Sequence, residues 1–149
     1  MPPALRPLRV LLAEDNAVNQ KVATGILADQ GRLDPDEQVS TYAPEVAGSG
    51  YGGATVRNLL DMRSGVRFRE DYADGSSDIR AMADWLHGER GLYAFLATLR
   101  AERPHGGSFL YRSSDTDVLG WLCERVTGSR MPSLLSDLIW SPIGAEHDA

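Results

Sequence analysis

Tyr111, Ser113, Ser114 and Asp115 place a phenol, two hydroxyls and a carboxyl within five residues of chain. Such groups can contact a polar substrate, or they can satisfy the free backbone amides at the start of a helix. Capping alone would account for Ser113, Ser114 and Asp115. A tyrosine at a strand-to-helix junction is commonly a packing residue. The remaining reactive side chains are sparse. Cys123 is the only cysteine, so the chain holds no intrachain disulfide and no cysteine-based metal site. On an apolar helix it reads as a small buried hydrophobe. His87 and His105 are far apart and have no cysteine or glutamate pattern beside them, a poor basis for a metal centre. Lys21 is the only lysine, and Val18 stands three positions before it, so no S-x-x-K motif occurs.

The elements that must carry these groups follow from periodicity and punctuation. Residues 8–13, LRVLLA, form a continuous apolar run suited to a buried strand. Glu14, Asp15 and Asn16 end it. Val18, Val22 and Ile26 recur every four residues and predict one apolar helical face, with Gly31 as the stop. Residues 32–53 are rich in proline and glycine and read as loop. Thr55 caps a helix carrying Val56, Leu59 and Leu60, ended by Ser64 and Gly65. Asp78 caps a helix with Ile79, Met82 and Leu86 inward. Leu92, Phe95, Leu96 and Leu99 make the cleanest amphipathic pattern, and Pro104 stops it. After residues 109–111 a helix carries Val118, Leu119, Leu122 and Val126 to Gly128. Pro132 opens a last helix with Leu134, Leu135, Leu138 and Ile139. Trp85, Trp121 and Trp140 fall within helical patterns and read as core or interface anchors.

Length and composition bound the class. A chain of 149 residues, 42% hydrophobic and 24% charged, is sized and balanced for one globular domain. A net charge of −6 disfavours a nucleic-acid partner, which wants a basic face. Apolar runs are too short to span a membrane, and no signal-peptide core follows the two N-terminal arginines. A cytoplasmic location is the expectation.

Two stretches resemble known families. Residues 8–27, including RVLLAEDNAVNQKVATGIL, resemble the start of a response-regulator receiver domain. That resemblance implies that Glu14 and Asp15 sit where the family's acids hold Mg²⁺, a fitting use of hard oxygen donors at a strand end. Equally, the two acids complement the positive end of the first helix. Asp61, in LLDM, lies at a tempting distance for a phosphoacceptor. Residues 57–62 read as a helix end instead, and no lysine follows Lys21 to fill the family's lysine role.

From about residue 25 to the end the chain resembles the serine hydrolases of the β-lactamase and penicillin-binding-protein kind. It is nearest in wording to the class C type and the 6-aminohexanoate-dimer hydrolases. Three blocks carry this in order: GILADQGRLDPDEQVSTYAPEVAG, VRNLLDMRSGVRF and FLYRSSDTDVLGWLCERVTG. The resemblance implies amide and ester cleavage through an acyl-enzyme, with Tyr111 as proton-transfer residue and Ser113 as a hydrogen-bonding substrate contact. It also implies a serine and a lysine at one helix start. Counted back from residues 31–34, those positions hold Glu14 and Ala17. The third motif of the family is not met before residue 149.

The expected fold is α+β, mainly helical: a partial β-lactamase/transpeptidase-like helical region (25–149) preceded by one receiver-like strand–helix unit (1–27), folded together. The expected function is β-lactamase-related serine hydrolysis by ancestry, inactive for want of the nucleophile. A degenerate receiver module in phosphorelay signalling and a chimera without evolved activity stay open. A small amide or ester is the implied substrate, no cofactor is expected beyond Mg²⁺ at Glu14 and Asp15, and uncovered helix faces predict self-association.

Overall fold

A computed structural model describes residues 16–88 and 91–144. The strand expected at residues 8–13, with Glu14 and Asp15, lies outside them. The elements in order are α1 (Asn16–Asp29), α2 (Val39–Tyr42), a 3-10 turn (Pro44–Val46), α3 (Val56–Leu60), α4 (Asp78–His87), α5 (Gly91–Leu96), α6 (Ser113–Thr127) and α7 (Met131–Leu135), followed by a π turn (Ser136–Trp140). Among the described residues β structure is limited to two isolated antiparallel bridges, Gln38 with Thr55 and Val66 with Ala101. The β part of the expected α+β fold is therefore not displayed by this portion of the chain.

The molecule is organised around α6. Its residues 114–116 and 118–123 are all buried, so it is enclosed on nearly every side. That enclosure explains the unbroken run of small and apolar residues through Val118, Leu119, Gly120, Trp121, Leu122 and Cys123. Gly128, at φ 68°, ends the helix in the left-handed conformation, with its N–H on the Glu124 carbonyl. α1, α3, α5 and α7 pack against α6, and one continuous core joins them. α1 approaches closely: a Cβ at Gly120 would stand 3.0 Å from the Gln20 side-chain nitrogen.

Several expected faces differ from the observed ones. Val18 and Val22 are 58% and 44% exposed, while Asn19, Gln20, Ala23, Thr24 and Leu27 form the buried side of α1. Contact with α6 sets this rotation, and the four-residue valine stripe loses to it. The Asn19 side-chain N–H₂ and the Gln20 side-chain carbonyl are left buried without partners among the described residues. Leu86, expected inward on α4, is exposed because Ile79 and Met82 already fill that interface. Within the loop of residues 32–53 the chain still forms two short helical turns. Their residues Val39 and Val46 anchor the core.

α3 begins as the sequence suggests, with a reciprocal capping box between Thr55 and Asn58. It ends sooner than expected, at Leu60, because Met62 takes a positive φ of 54°. The loop that follows needs its glycine. Gly65 has φ 72°, and a Cβ there would meet the Arg103 carbonyl oxygen at 2.4 Å. Gly31 follows α1 at φ 70°, as read, whereas α5 ends at Leu96, well before the Pro104 expected to stop it.

Two stability changes follow. Gly65→Ala should destabilise by more than ~2 kcal/mol, from backbone strain and overlap together. Asn19→Leu should stabilise by about 1 kcal/mol, because it removes a buried donor that has no acceptor among the described residues. Urea unfolding of the two variants against the parent checks both, and the opposite signs make the pair diagnostic.

Candidate active site

The N-terminal turn of α6 brings together groups from three distant stretches of chain. Arg112 precedes the helix in extended conformation and provides no side-chain cap. The capping comes instead from Glu70: its carboxylate accepts the Ser113 N–H at 3.2 Å and the Ser113 hydroxyl. A carboxylate at this end also complements the helix dipole. Ser113 is thus a donor to Glu70, and Ser114 and Asp115, read from sequence as caps or contacts, have other partners.

Those partners are internal. Asp115 is fully buried. Its Oδ1 accepts the Ser64 hydroxyl at 2.8 Å and the Tyr51 hydroxyl at 3.0 Å. The Tyr51 hydroxyl also lies 2.8 Å from the Ser114 oxygen. Asp115 Oδ2 has no partner among the described residues. Arg112 is only 1% exposed, and its Nε and one terminal nitrogen donate to the carbonyls of Val66 (2.5 Å) and Leu110 (3.0 Å). The backbone before Tyr111 is held again by the Leu110 N–H on the Met62 carbonyl at 3.0 Å. Tyr111 itself is 50% exposed, its phenol presented outward from a chain fixed on both sides. Phe109 and Leu110 are exposed beside it.

The electrostatics follow from the burial. Desolvation pushes the Asp115 carboxyl up to about 6, against the pull of the Ser64 and Tyr51 hydrogen bonds and the positive charges of Arg112 and Lys21. Burial also raises Asp117, one turn from Ser113, to about 6; the Glu70 charge adds to this and a Gln20 hydrogen bond opposes it. Burial and the nearby Asp115 charge drive the Tyr51 phenol far above its ordinary range. Among the described residues, no group of three or more histidine, cysteine, aspartate or glutamate side chains could hold a metal. His87 and His105 each meet a backbone carbonyl, of Ala83 and Ser64 respectively. Cys123 is buried against the Thr24 hydroxyl, as its helix pattern suggests. Asp61 is exposed just past the last turn of α3.

The structure therefore brings Tyr111 and Ser113 to one end of α6, as their spacing suggests, and adds Glu70, Arg112, Ser64 and Tyr51. Glu70 lies 43 residues before Ser113 in sequence, and no local pattern ties it to a helix so far away. Only the serine-glycine pair at 64–65, inside the second resemblance block, offered a signal. Neutral Asp115 and Asp117 are favoured in the fold, so their stabilisation is complete below the ordinary carboxyl value near 4 and fades as pH rises through about 6. Thermal unfolding should accordingly occur at higher temperature at pH 5 than at pH 7.5. Asp115→Asn should flatten the dependence, by an amount on the order of 3 kcal/mol at the higher pH. A melting temperature that rises from pH 5 to 7.5 would contradict this.

A family model described as "Beta-lactamase" matches residues 22–149. The 6-aminohexanoate-dimer hydrolase of Paenarthrobacter ureafaciens is 42% identical over 132 residues, 84% of this chain and 33% of that protein. Among solved structures, a protein assigned as a 6-aminohexanoate-dimer hydrolase from Bacillus anthracis superposes with a TM-score of 0.72 at 25% identity, covering 86% of this chain and 37% of that one. A family VIII carboxylesterase gives 0.64 at 27% identity, with 87% and 34% covered. The chain spans about a third of the length of the relatives it matches. The shared blocks, the helical arrangement around α6 and the family match over most of the sequence agree, and the chain belongs to the β-lactamase family of hydrolases.

Proposed function

We propose that this chain is a β-lactamase-related serine hydrolase by ancestry, of the amide- and ester-cleaving kind, that does not itself turn over substrate. One observation carries the reading. The Tyr111 block is presented at the start of α6, whereas the aligned serine and lysine positions hold Glu14 and Ala17. Acyl transfer needs a nucleophile and a group to take its proton. Glu14 offers no hydroxyl and Ala17 no amine. Lys21, one turn beyond Ala17 on α1, is close enough to Asp115 to pull its carboxyl down. It has no serine three residues before it. In this reading Tyr111 is the retained proton-transfer residue and Ser113 the retained substrate contact, with a small amide or ester as the substrate class.

The chimeric origin has support from α1. A helix with Val18 and Val22 exposed, and two amide side chains buried without full hydrogen bonding among the described residues, carries a sequence suited to different neighbours. The receiver-like wording of residues 8–27 supplies such a source.

The intact protein should give no adduct with a fluorophosphonate probe and no p-nitrophenyl ester cleavage above background, since losing a hydrolase nucleophile typically costs about a million-fold in turnover. Tyr111→Phe should leave both readings unchanged. A stoichiometric serine adduct, or ester cleavage that falls on Tyr111→Phe, would show a working site.

A further inference from the structure

Asp115 is not among the groups the proposed chemistry uses, yet it is fully buried at the site with two hydroxyls on one carboxyl oxygen. Through Oδ1 it holds the Ser64 hydroxyl, and His105 Nδ1 meets the Ser64 carbonyl from the other side at 2.5 Å. Ser64 lies in the loop of residues 62–66, whose backbone is tied to both flanks of Tyr111. The Met62 carbonyl accepts the Leu110 N–H, and the Val66 carbonyl accepts Arg112 Nε. This loop contains both the positive φ of Met62 and that of Gly65, so its shape depends on being held.

We propose that Asp115 is a positioning residue for Tyr111: its enclosed carboxyl, through Ser64, sets the loop of residues 62–66, and that loop fixes the chain on either side of the phenol. The inference rests on Tyr111 being the site's retained residue. Its structural half stands whether or not the chain turns over substrate. The charged and titratable groups facing the carboxyl are Arg112 before α6, Lys21 on α1 and Tyr51 from the loop preceding α3. Burial outweighs the two cations, so the neutral carboxyl fits the enclosure better than the ionised one.

Amide hydrogen exchange of the full chain tests this, with the Leu110 N–H as reporter and the Ala81 N–H of α4 as a remote control. Relative to the control, Leu110 protection should fall about tenfold in Asp115→Ala and severalfold in Ser64→Ala, and should stay within about twofold in Asp115→Asn. Unchanged Leu110 protection in Ser64→Ala overturns the proposal, as does an Asp115→Asn loss as large as that of the alanine variant. If Asp115→Ala does not fold, Ser64→Ala decides. Ester cleavage measured on the same samples reports separately on the hydrolase reading, so failure of one is distinguishable from failure of the other.

Discussion

The start of α6 carries an arginine, an aspartate and two hydroxyls into the interior, and much of the surrounding chain is shaped to receive them. Burying a charge without partners is far more costly than leaving it in water. The enclosure of Arg112 and Asp115 therefore constrains the fold around them. Arg112 takes the carbonyls of Val66 and Leu110, and Asp115 takes the hydroxyls of Ser64 and Tyr51. The positive φ at Gly65 and the close approach of the Arg103 carbonyl lie on the same loop. A phenol on a fixed backbone at a helix start is the outcome.

Apolar packing supplies the rest of the frame. Leu119, Leu122 and Cys123 on α6 meet Ala23 and Leu27 on α1 and Val56 and Leu59 on α3 in one buried cluster. At the other end of α6, Tyr93 stacks on Trp121 with ring centroids 4.4 Å apart, and the Arg125 guanidinium lies 5.6 Å from the Trp121 ring. The Tyr93 hydroxyl donates to Glu124, which also receives the Met131 N–H and so links α6 to α7. The N-terminal end of α6 is thus anchored by buried polar groups and the distal end by aromatic stacking.

Much local punctuation was written in the sequence: Thr55, Gly31, Gly128 and the apolar run from Val118 to Cys123 appear where residue type demands, while Pro104 stands well past the end of α5. Face assignment was harder where two surfaces competed. The stripe of Val18 and Val22 has the right period but points outward, since tertiary packing of α1 on α6 decided the rotation. The place of Tyr111 and Ser113 at the start of a helix was legible through their block. Glu70, Ser64 and Tyr51 were not readable as partners, because their bonds span tens of residues and depend on how the loops fold back. Asp115 looked like a surface cap from its neighbours in sequence, and only the burial of α6 shows it as an interior group.

The state of that carboxyl is decisive for the enclosure at the start of α6. A carbon-13 NMR titration of the Asp115 side chain in the folded protein reads it directly. A midpoint near 6, with the neutral form below it, is the predicted result. A midpoint near 4, the ordinary aspartate value, would contradict it, because burial would then not outweigh the two hydrogen bonds and the charges of Arg112 and Lys21.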